Sequence, residues 1–174
     1  MIRTMKPVLL AALASALLPV YAQQGPSDPQ IAAIVVTANQ VDIDAGKLAK
    51  SKSKNKEVDQ FAQQMITDHG AVNKQAVALV TKLKVKPEAS ETSNSLKKGG
   101  EENIAKLKKL KGADFDKAYV DHEVDYHQAV LDAIDKTLIP SARNADLKEL
   151  IVKVRPAIAT HLDHAKHLQA SLGK

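Results

Sequence analysis

Residues 58–83 read VDQFAQQMITDHGAVNKQAVALVTKL. Val58, Ala62, Met65, His69, Val72, Ala76, Leu79 and Leu83 recur there at alternating steps of four and three. That is the spacing of a helix stripe buried against partner helices. Leucine would fill the fourth position at no cost, yet it is His69, whose burial requires a partner. The stretch therefore predicts a long helix, and something inside the molecule that meets an imidazole.

The same four-three pattern recurs elsewhere, broken each time by one ionisable residue. Ile31, Val35, Ala38, Asp42, Ala45 and Ala49 form one stripe, with Asp42 as its charge. Val120, Val124, His127, Leu131, Ile134 and Leu138 form another around His127. A fourth, Leu147, Ile151, Val154, Ile158, His161, Ala165, Leu168 and Leu172, is broken by His161. At about 1.5 Å of rise per residue, the four polar residues fall within about 10 Å in height, so they should find one another.

The punctuation predicts four long helices. Asp28 and Pro29 read as an N-cap and first turn for a helix to about Lys50; Ser53 or Asn55 caps a second, from about Lys54 to Lys84. Pro87, the polar run from Glu88 to Ser95 and the pair Gly99-Gly100 then leave room for a short helix, around Glu101 to Lys111, in a long crossover. A third long helix follows from about Ala113 until Pro140 ends it. A fourth runs from about Asn144 to Leu172, with Pro156 inside. No run alternates long enough to make a strand. Two hairpins joined by one long connection describe an all-α, ferritin-like four-helix bundle.

The 174 residues divide into a signal peptide, 1–22, a linker, 23–28, and one bundle domain, 29–174. Arg3 and Lys6 precede the apolar run Val8 to Val20, and Val20-Tyr21-Ala22 reads as a cleavage site. A periplasmic or secreted protein follows, with no membrane span in the mature chain. There is no cysteine, hence no disulfide and no lipid attachment at a cysteine. Removing Arg3 and Lys6 leaves 23 basic against 20 acidic residues, a net charge of +3, and aromatic residues are few. Nucleic-acid binding is therefore disfavoured.

Three imidazoles and a carboxylate suit a single divalent transition metal, Zn, Mn, Fe or Cu, with Asp42, His69, His127 and His161 as ligands. Met65, Asp68, Tyr119, Glu123, Tyr126 and His164 lie close enough on their helices to orient those ligands. His122 and His167 fall about 140° and 120° around their helices from His127 and His161, and should face outward; His164 is intermediate, at about 60°, and open to either a flanking site or solvent. Di-iron chemistry needs Glu-x-x-His pairs. Here Ile66, Val124 and Ile158 occupy the positions three before the histidines, which argues against catalysis by that route. The alternative is a metal-free module that binds a protein partner through its lysine-rich crossover, Lys97, Lys98, Lys106, Lys108, Lys109 and Lys111; Glu101 and Glu102 interrupt that run, as on a solvated helix face.

The stretches ANQVDIDAGKLA, FAQQMITDH, FDKAYVDHEVDYH and RPAIATH resemble successive blocks of an exported bacterial family, domain of unknown function 4142, which is grouped with ferritin-like proteins. The likeness extends from about Ile31 to Leu168. It implies a ferritin-like bundle and an envelope location, and it carries no activity. The family's acidic residue, usually glutamate, falls on Asp42; its Asp-His pair falls on Asp68 and His69, and its later histidines on His127 and His161. Aspartate at position 42 is a departure, with a shorter reach. His122 and His164 match no position of the family's blocks.

Overall fold

The computed structural model describes residues 25–173, and the signal peptide with its cleavage near Ala22 lies outside them. The described chain is all-α. Helix α1 spans Asp28–Lys52, α2 Lys56–Lys82, α3 Glu91–Lys108, α4 Gly112–Ala133 and α5 Ala145–Leu172. α1 packs along α2 and α4 along α5; these pairs meet through α2 with α5 and α1 with α4. No described helix is long and apolar enough to cross a membrane.

Local chemistry sets each boundary. Ser27, one residue earlier than expected, caps α1 in a capping box with Gln30. The Asp28 carboxylate instead accepts the Arg143 and Asn144 backbone N–H groups at 2.9 and 3.0 Å, tying α1 to the turn before α5. Asn55 caps α2 and Asn144 caps α5 through their side-chain oxygens. Pro140 does not end its helix at once. The chain widens into a π-helical turn, Ile134–Leu138, and continues through Ile139–Ser141. The wider turn relieves the clash of the proline ring with the preceding carbonyls. Pro156 sits inside an unbroken α5.

The crossover departs most from expectation. In place of a short helix near Glu101 to Lys111, α3 has 18 residues and runs through the glycine pair. Ser90 and Ser93 cap its start reciprocally. Its inner stripe is Ser93, Leu96, Gly100, Ile104 and Leu107, with small residues where apolar bulk would normally announce a helix. A Cβ at Gly100 would lie 2.8 Å from both methyl carbons of Val41, so glycine there lets α3 settle onto α1. Lys52 holds the far end of α3 by donating to the Leu107 and Lys108 carbonyls at 3.3 and 2.8 Å.

The interior consists of two apolar halves. One contains Phe61, Phe115 and Tyr119 with Met65, Val120 and Leu168; the other is wholly aliphatic, with Ile31, Ile34, Leu131, Ile151 and Ile158. Between them lies a buried polar layer.

Candidate metal centre

That layer brings together one stripe-breaking residue from each long helix. Asp42 comes from α1, His69 from α2, His127 from α4 and His161 from α5; each is at most 4% exposed. His69 Nε2 lies 2.9 Å from Asp42 Oδ2, and His127 Nε2 lies 3.4 Å from the same oxygen. The three rings form a near-equilateral group, with centroid separations of 5.6, 5.2 and 5.5 Å. One ligand nitrogen from each falls within 4.8 Å of the other two.

Each imidazole is oriented from outside. His69 Nδ1 donates to Asn39 Oδ1 at 2.7 Å, and Asn39 is itself fixed because its Nδ2 donates to the Val35 carbonyl at 2.8 Å. His127 Nδ1 donates to the Glu123 carbonyl at 2.9 Å. His161 is turned the other way: its Nε2 donates to Asp68 Oδ2 at 2.9 Å, leaving Nδ1 inward. With the outer nitrogens engaged, His69 Nε2, His127 Nε2, His161 Nδ1 and both Asp42 oxygens are buried without an aligned hydrogen-bond partner. A lone pair on His69 Nε2 facing a carboxylate oxygen at 2.9 Å is repulsive. A cation, or a proton shared between the ring and the carboxyl, must lie between them.

Electrostatics disfavours the protonated forms of Asp42, His127 and His161. Burial raises the Asp42 carboxyl, but His69 and His127 beside it outweigh that and hold it below its ordinary value. Burial lowers His127 to about 4, and lowers His161 as well, against the opposing pull of Asp68. Both rings are therefore neutral at pH 7. Burial, and then the Asp42 charge, push the Glu123 carboxyl well above its ordinary value, because two facing carboxylates cannot both ionise in so dry a place.

Glu123 is closer to the centre than its sequence position suggested. With Asp42 and His127 it forms a second buried group whose ligand atoms lie within 4.8 Å of one another. The spacing Glu123 to His127, one helical turn, was the available signal. Tyr119 sits a turn earlier, its hydroxyl buried and its ionisation suppressed by burial and by Glu123. Tyr126 ties α4 to α1 by donating to the Ala38 carbonyl at 2.9 Å. Met65 is fully buried in the aromatic half of the core.

Of the remaining histidines, one takes the outer of the two places open to it and one departs from expectation. His164 is exposed; it bonds Gln64 at 3.1 Å and packs perpendicular to the Phe61 ring, with no described contact to the cluster. His122 does not face solvent freely: it is half-buried and stacks on Tyr126, because α3 covers that side of α4. His167 is exposed as expected. Asn39 was missed, since a lone mid-helix asparagine looks like a surface residue. The crossover lysines are exposed on α3 and beyond it, and Lys98 lies 3.8 Å from Glu102.

A family model described as a domain of unknown function (DUF4142) matches residues 15–168. No curated protein and no solved structure matches the chain.

Proposed function

The chain belongs to the DUF4142 family, and from that premise we propose that it is an exported, ferritin-like four-helix bundle that binds a single divalent transition metal without catalysis. Asp42, His69, His127 and His161 hold the ion. The observation that carries this reading is the pairing of engaged outer nitrogens with unpartnered inner ones on three converging rings. Metal-ligating histidines are built this way, with a carbonyl or carboxylate fixing the far nitrogen. Nitrogen-rich ligands with one carboxylate favour Zn, Cu, Fe or Mn over Mg or Ca.

A bound ion would supply the positive charge that the 2.9 Å His69–Asp42 contact calls for and would satisfy several orphaned atoms at once. Held by side chains of four helices that are each at most 4% exposed, it would sit apart from bulk solvent, which suits a protective role in the cell envelope. The test is metal content after loading with each of the four ions and desalting, for wild type and His127→Leu. Wild type should retain about one equivalent of at least one ion, and the variant much less. Equal content in both overturns the proposal.

A further inference from the structure

The cluster is not walled in on every side. A cavity of about 250 Å³ opens beside it, in the aliphatic half of the interior. Asp42, His69, His127 and Asn39 form its inner end, while side chains such as Val35, Leu96, Ile134, Ile151 and Ile158 make its walls. Thr92, Ala129 and Thr137 also line it and are exposed, so its mouth lies between the start of α3 and the end of α4 with the π-helical turn that follows it. Asp42 is the one carboxylate among its lining residues.

Such walls offer water almost nothing to bond. A dry cavity of about 150 Å³ accommodates benzene, so about 25 Å³ serves each heavy atom and the present cavity holds about ten. The inner end calls for a polar ligand group. Both Asp42 oxygens and the Nε2 atoms of His69 and His127 are buried there without an aligned hydrogen bond.

We propose that the cavity binds a straight aliphatic chain of about eight carbons that ends in a single oxygen-bearing head, the head lying at the Asp42, His69 and His127 end and the chain along the aliphatic walls. The role of the head rests on the metal reading above, since an ion held by three imidazoles and one aspartate takes a further donor by expanding from four to five ligands. The place of the chain rests on the cavity alone. A carboxylate and a hydroxyl share the head chemistry, and experiment separates them.

The probes are octanoate and 1-octanol, with acetate and ethanol as tail-free controls, titrated into protein loaded with Co(II). Metal content is measured first, and ligand binding is then followed by the visible spectrum of cobalt and by calorimetry. Each buried methylene contributes about fourfold, so at least one eight-carbon probe should bind at least about 100-fold more tightly than its two-carbon counterpart and shift the cobalt bands. Affinity should climb with chain length to about eight to ten carbons and fall beyond, as the cavity volume requires. Val130→Phe, which fills the cavity from α4, should keep its cobalt and lose the long-chain ligand; if that variant does not fold, the chain-length series on wild type decides. Retained cobalt with no preference for eight carbons over two overturns this inference and leaves the metal reading standing. Loss of cobalt, with 1-octanol still bound at the same length optimum, overturns the metal reading and the role of the head while upholding the place of the chain. Neither cobalt nor chain bound overturns both.

Discussion

Stripping the metal from loaded protein with EDTA should lower its melting temperature by about 5–11 °C. The size follows from where the ligands sit. Asp42, His69, His127 and His161 are on four different helices and converge only in the folded chain, so an ion held by all four would bind the native state and have no comparable site in the unfolded one. Free metal at a hundred times its dissociation constant then contributes about 2.7 kcal/mol. For a domain of about 150 ordered residues, each kcal/mol moves the midpoint by about 2–4 °C. The assay is circular dichroism of the helical signal during heating, on protein loaded with Zn, Mn, Fe or Cu, with and without chelator. His69→Leu should melt at the same temperature in both conditions. If wild type is also indifferent to EDTA after loading with each ion, the 2.9 Å approach of His69 to Asp42 is held by a proton, and the reasoning fails.

Three other outcomes are accessible. Burial lowers His127 from its ordinary 6.5 to about 4 in the folded protein; the unfolded chain therefore takes up that proton first, and metal-free protein should lose on the order of 3 kcal/mol as pH falls from 6.5 towards 4. Urea titrations across that range should find the slope reduced in His127→Leu; an unchanged slope would mean other groups cause it. Asp68→Ala removes the acceptor from His161 Nε2, and since the Asp68 side chain is 42% exposed the fold should survive while metal affinity falls about 10–100-fold. The adjacent glycines of α3 should respond with opposite signs in urea. Gly99→Ala, with nothing within 4 Å, should stabilise by about 0.5–1 kcal/mol. Gly100→Ala, which brings its Cβ to 2.8 Å from the Val41 methyls, should destabilise by about 1–3 kcal/mol. Matching signs would refute the account of how α3 packs.

The long helices were legible because their buried stripes are apolar at regular spacing, so a single Asp or His in each stands out. The convergence of Asp42, His69, His127 and His161 followed from the same irregularity. What stayed hidden depends on contacts between distant residues. α3 buries serine and glycine where a stripe normally has leucine, so its length cannot be read from hydrophobic period; only the position of Val41 explains Gly100. Asn39 becomes significant once α2 sets His69 against it, and the short reach from Glu123 to Asp42 exists only after α1 and α4 meet. The π turn before Pro140 answers a backbone clash that leaves no mark in side-chain pattern.

The buried polar layer also acts as a key for vertical alignment. Greasy surfaces on parallel rods tolerate sliding, because one hydrocarbon neighbour resembles the next. A slip of one turn, about 5.4 Å, would carry a charged or hydrogen-bonding group into either oily compartment and tear it from its mates. Four notched rods thus have a single height at which they fit, and damage in one compartment should add to damage in the other, with the notch insulating each from its neighbour's repacking.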